Sequence, residues 1–162
     1  MRTWLLLVVA LAPTLASAED PTARLLQDAL LCKGSPLDAV RSVSAKGAGP
    51  TFAATDFGEE LDFTNVVVLK TPLRIAGATT RAVIGEVRQS HYDFRGHVYG
   101  SFKGDYQRVV KELGLVKSKD PVVGNYELEV EARTPDLVCP KTIGLTPKEN
   151  GEFLLGCGWC NG

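Results

Sequence analysis

Cys157-Gly158-Trp159-Cys160 is the sharpest chemical motif in the chain, two thiols at the spacing used by thiol-disulfide oxidoreductases. In such enzymes the first thiol stands at a helix N-terminus, where the backbone dipole favours the attacking thiolate. Only Asn161 and Gly162 follow the pair, so no helix is expected behind it. The motif therefore reads as bridging chemistry, with redox exchange as the alternative. Cys32 and Cys139 bring the thiols to four, an even number that predicts two disulfides among three pairings. Folding the last hairpin about residue 149 sets Cys139 opposite the segment 157–160; of the pairings this allows, Cys139 with Cys157 and Cys32 with Cys160 is the one expected.

His91 and His97 flank a turn read at Asp93-Phe94-Arg95-Gly96. With Asp93 they offer two nitrogens and one oxygen, a donor set that suits zinc or copper and defines a metal-carrier alternative. The competing reading is a solvent-facing hairpin tip, whose Tyr92, Phe94 and Arg95 are the residue types that anchor protein interfaces. Glu127, Glu129 and Glu131 form a second group: on a strand they make a row of carboxylates about 7 Å apart. Such a row suits a basic partner, or is simply the wet face of an antiparallel sheet. Nothing near it separates two carboxyl pKa values as acid-base catalysis requires.

Enzyme motifs are missing. There is no GxSxG elbow, Walker loop or HExxH, and Gly47-Ala48-Gly49 lacks its third glycine and runs into Pro50. Cysteine-histidine catalysis needs a free thiol, and an oxidised four-cysteine chain is not expected to have one. No enzyme activity and no cofactor are implied.

The elements that must position these groups read as an α+β fold. Asp20-Pro21 opens a helix whose Leu25, Leu26, Ala29 and Leu30 recur at helical spacing, with Gly34 as its terminator. Ser35-Pro36-Leu37-Asp38 opens a second, with Leu37, Val40 and Val43 on one stripe. Residues 46–60, rich in Gly, Ala and Thr, read as a loop. Strands follow at 65–69, 73–76, 82–88 and 98–102, then a helix from Asp105 to Gly114 with Tyr106, Val109, Val110 and Leu113 on one stripe. Tyr126, Leu128 and Val130 alternate with the three glutamates as a half-buried strand. Two more strands, near 137–145 and 152–157, flank the turn at 147–151. The order is ααββββαβββ, an antiparallel sheet with helices packed on one face and disulfides bracing it.

Lys33-Gly34-Ser35 and Lys103-Gly104-Asp105 each introduce a helix, 70 positions apart, and Val40 then aligns with Val110. This suggests an internal duplication dividing 19–102 from 103–162 within one α+β domain. A tandem of that kind resembles, in architecture only, the helix-plus-sheet layout of the beta-lactamase inhibitory proteins. That likeness transfers no site residue.

Residues 1–18 have the make-up of a signal peptide: Arg2, an apolar run from Trp4 to Ala12, and Ala16-Ser17-Ala18 before the cleavage point. Pro13 and Glu19-Asp20 cut the run short of a membrane span. A periplasmic or secreted protein is expected, and there thiols oxidise. With 44% apolar and 23% charged residues the chain is too apolar for disorder. Its net charge of −1 gives nucleic-acid binding no support. Charge is divided along the chain, since 81–119 holds 8 basic and 4 acidic residues and 120–162 holds 3 and 7. The reading that follows is an exported, non-enzymatic binding protein with a protein partner in the cell envelope, an inhibitor or immunity protein in type.

Overall fold

In a computed structural model of the 162-residue chain, the structure describes residues 21–43, 51–57, 60–89, 94–119, 124–132 and 139–161. The expected leader, residues 1–18, lies outside them. Eight strands make one antiparallel sheet: β1 Thr51–Phe57, β2 Glu60–Ile75, β3 Ala78–Gln89, β4 Phe94–Lys103, β5 Val116–Lys117, β6 Tyr126–Glu131, β7 Cys139–Pro147 and β8 Glu152–Asn161. Helices α1 Pro21–Leu30 and α2 Pro36–Val43 precede β1, and α3 Tyr106–Leu113 lies between β4 and β5. The spatial order is β1-β2-β3-β4-β8-β7-β6-β5. Two four-strand meanders thus meet along β4 and β8, which pair without a break from Phe94↔Asn161 to Lys103↔Glu152.

The core forms where alternate strand residues meet the helices. Val67, Leu69, Val83, Val98, Phe102, Ile143, Leu145, Phe153 and Leu155 are buried together with Leu26, Ala29 and Leu30 of α1 and Val40 and Val43 of α2. Helices α1 and α2 pack against β2, β3, β4 and β8. The close approach of α2 depends on Gly85, where an added Cβ would lie 3.2 Å from Val40. Val109 brings α3 into the same core, and Tyr106 meets Tyr126 with ring centroids 6.1 Å apart. At the seam of the meanders the rings of Phe102 and Phe153 stack 5.7 Å apart.

Helix ends follow local chemistry. Asp105 accepts from the backbone N–H groups of Gln107 and Arg108, and Gly114 closes α3 in the left-handed conformation. In α1 the terminator is Cys32 rather than Gly34. Lys33 N–H donates to Asp28 O and Cys32 N–H to Ala29 O, the Schellman pattern that places Cys32 where glycine is usual. Its φ of 59° is unfavourable for a residue with a Cβ. What demands a side chain there is the disulfide to Cys157.

Several sequence expectations change. Residues 51–57, read as loop, form β1, held by pairing with β2 rather than by their composition. The two short strands read at 65–69 and 73–76 are one, β2, with a register shift between Val68 and Leu73 that absorbs Pro72. The final third has four strands rather than three, because β5 adds a two-residue edge to β6. Leu25 is 40% exposed, so the buried stripe of α1 starts at Leu26. Phe94 and Arg95, read as part of a turn, belong to β4.

Candidate binding face

Strand pleat sends successive side chains to opposite faces, so the residues between the core positions define the face turned away from the helices. Register lines them up in rows. One runs Val66, Ile84, Tyr99, Gly156, Gly144, Glu127, and the next Thr64, Glu86, His97, Gly158, Thr142, Glu129. Val66, Ile84 and Tyr99 are half-buried and Val68 is 53% exposed. This half of the face is an apolar ridge. Beside it Gly144, Gly156 and Gly158 form a lane without side chains, and the carboxylates of Glu127 and Glu129 stand beyond. The lane is obligatory at Gly156, where a Cβ would sit 2.6 Å from Tyr99 Cα and overlap Val98 O.

Polar contacts fix the ridge. Tyr99 Oη donates to Glu86 Oε1 at 2.7 Å, and Glu86 faces His97 directly across β3 and β4. Ser101 Oγ donates to Glu152 Oε2 at 2.9 Å, and Lys103 lies 3.5 Å from the same carboxylate. The Ser101 hydrogen bond, helped by Asn150 and Lys103, outweighs desolvation and holds the Glu152 carboxyl below its ordinary range. A depressed folded-state pKa stabilises the fold above the unfolded value and is lost as pH falls through the folded one. Glu152→Gln is therefore expected to lower the urea midpoint at pH 7 and to match the parent in acid well below about pH 4.3. A gap that widened in acid would contradict this.

The four cysteines are all bonded, as Cys32–Cys157 and Cys139–Cys160. The pairing differs from the expected Cys139 with Cys157 and Cys32 with Cys160. Across β7 and β8 the residue opposite Cys157 is Ile143, whereas Cys139 stands opposite Cys160. An extended strand also splits the CxxC motif. Positions three apart lie on opposite faces with Cα atoms roughly 10 Å apart, beyond the reach of a mutual disulfide. Cys157 thus faces the helices and Cys160 the open side.

Other expected site residues are distributed differently. Glu127 and Glu129 share the open face, but a register shift between Glu129 and Glu131 interrupts the row, and Glu131 pairs with Lys141 at 2.6 Å. The same shift leaves Val130 46% exposed, out of line with Tyr126 and Leu128. Arg95 is exposed in β4, next to Cys160 in register. His91, Tyr92 and Asp93 lie outside the described residues, so the proposed metal set is represented there by His97 alone. Among the described residues no three His, Cys, Asp or Glu side chains gather as metal ligands, and no helix is long and apolar enough to cross a membrane. Sequence reasoning missed Tyr99 and Glu86; the alternation of Arg95, His97, Tyr99 and Ser101 against the small or buried residues between them was the available signal.

The assembly is an α+β protein, mostly antiparallel sheet, with three helices and two disulfides. Compared with protein-family models, curated proteins and solved structures, the chain matches none, so the tandem layout carries no family assignment.

Proposed function

We propose that the chain is an exported binding protein of the periplasm or the extracellular space, without catalytic activity, that captures or occludes a protein of the cell envelope. An inhibitor or immunity role against an envelope-directed hydrolase or toxin is the form of that activity the reading favours. The observation that carries it is the one-sided cover of the sheet. Helices lie against one face, and the other carries Val66, Val68, Ile84 and Tyr99 beside the buried Gly144, Gly156 and Gly158. Apolar residues of that size on a braced sheet are usual at interfaces, and a tyrosine pinned by a carboxylate loses little freedom on binding. Two disulfides suit an oxidising compartment. The same reading takes 19–102 and 103–162 as two copies of one helix-plus-meander unit, which the symmetric strand order supports.

The test is affinity capture from envelope extract with the oxidised protein, followed by binding measurements with the captured partner. Val68→Asp and Tyr99→Ala are each expected to weaken binding by about tenfold or more, the scale of an interface hot spot. Leu25→Asp, on α1, is the control and leaves binding unchanged. If Leu25→Asp weakens binding while the open-face variants do not, the open face is not the capture surface.

A further inference from the structure

The two disulfides differ at the sulfur open to attack: Cys160 is buried at 9% exposure, but its partner Cys139 is not, whereas both members of the other pair are buried. Cys32 and Cys157 are 4% and 1% exposed, and the cross-strand neighbours of Cys157 are Val98 and Ile143. An attacking thiolate has no approach there, and an apolar site disfavours a departing thiolate. Cys139 is half-buried on the open face, past the register shift that separates it from the regular part of β7. Its partner Cys160 stands between Cys139 on one side and the exposed Arg95 on the other, directly opposite in register. Directly opposed residues of an antiparallel pair project to the same face with Cβ atoms about 5 Å apart, a separation the long Arg95 side chain can span to bring its guanidinium to the sulfur that would leave.

We propose that Cys139–Cys160 is a thiol-exchange site for a dithiol, either a small molecule or the reduced pair of an oxidoreductase, while Cys32–Cys157 is a permanent fastener. The thiolate of the dithiol attacks Cys139 Sγ. The bond between the two cysteine sulfurs breaks as the mixed disulfide forms, and Cys160 departs with the electron pair as a thiolate beside Arg95. The second thiol of the reductant then attacks its own sulfur in the mixed disulfide, closes its ring or pair, and releases Cys139 as a thiolate. The protein gains two electrons, the dithiol loses two, and both new thiolates take protons from water. The exchanging pair is thus Cys139 with Cys160, and the CxxC motif contributes only its second member. This stands apart from the capture of a partner and holds whether or not the open face binds one.

The experiment is a time course with dithiothreitol on the native protein at pH 8, quenched with iodoacetamide and read by peptide mass mapping. Alkylation at Cys139 and Cys160 is expected at least about tenfold faster than at Cys32 and Cys157, while circular dichroism stays native. Arg95→Gln is expected to slow the first opening roughly threefold and Arg95→Lys to restore it, since a cation at that position is what favours the leaving thiolate. Both variants are first checked for native circular dichroism. Opening of both bridges together, or of Cys32–Cys157 first, overturns the proposal, as does an opening rate indifferent to the charge at residue 95.

Discussion

The double variant Cys32→Ala/Cys157→Ala is expected to lose about 5 kcal/mol of stability, the largest effect of any change considered for this chain. The bridge joins residues 125 positions apart, and restricting so long a loop in the unfolded chain is worth about that much in the loop-entropy account. Cys139 and Cys160 are separated by 21 positions, and Cys139→Ala/Cys160→Ala should cost about 3 kcal/mol. Against a total of about 5–15 kcal/mol for a protein of this size, the first loss leaves a marginal fold and the second a serviceable one. Urea unfolding of both double variants, with m-values compared, is the measurement. A larger loss from the short-loop pair would show that the native contacts around each bridge, and not loop length, set their contributions.

Phe153→Ala is expected to cost about 3–5 kcal/mol. Both rings of the Phe102–Phe153 pair are fully buried, and they pack across the one strand pair that joins the two meanders. Truncation leaves a cavity bordered by β-sheet backbone, which collapses poorly, and removes a stacked contact worth about 0.5–1.5 kcal/mol beyond its area. Phe153→Leu refills most of the volume and should lose less than half as much. Chemical unfolding followed by far-ultraviolet circular dichroism and by tryptophan fluorescence gives the energies. It also reports cooperativity: coincident curves mean the meanders still melt as one unit, and separated curves mean the seam has failed first. A cost for Phe153→Ala below about 1.5 kcal/mol would mean that the seam relaxes around the missing ring.

What could be read in advance was local. Asp105 and Gly114 delimit α3 as capping chemistry requires, and the predicted Leu37, Val40 and Val43 are buried in α2, together with Pro36. What failed depended on register. Between β7 and β8 the paired positions shift by one residue between Cys139 and Thr142, and a one-residue slip exchanges the faces on which thiols meet. Folding about residue 149 sets Cys139 opposite Trp159 and does not choose between the flanking thiols, whereas β7 and β8 turn about residue 150 and the shift then brings Cys139 opposite Cys160. The strand β1 was missed because Gly and Ala before it, and Ala53, Ala54 and Asp56 within it, masked its strand formers Thr51, Phe52, Thr55 and Phe57, which pairing with the long β2 holds in a strand. For the candidate face, the glutamates announced themselves by alternation. Glu86 and Tyr99 did not, since their meeting depends on the register between β3 and β4, which no local pattern reveals.

The strand β8 is the last of the eight in sequence and yet stands in the middle of the sheet, between β4 and β7. During vectorial emergence of the chain, the first meander and the later strands lack the element that joins them until residues 152–161 are present. The sheet is completed by pairings of long sequence separation, which makes closure slow relative to the formation of α1, α2 and α3. Cys157 lies on that final strand, so the native Cys32–Cys157 bridge ties the first helix to the last element of the chain to appear.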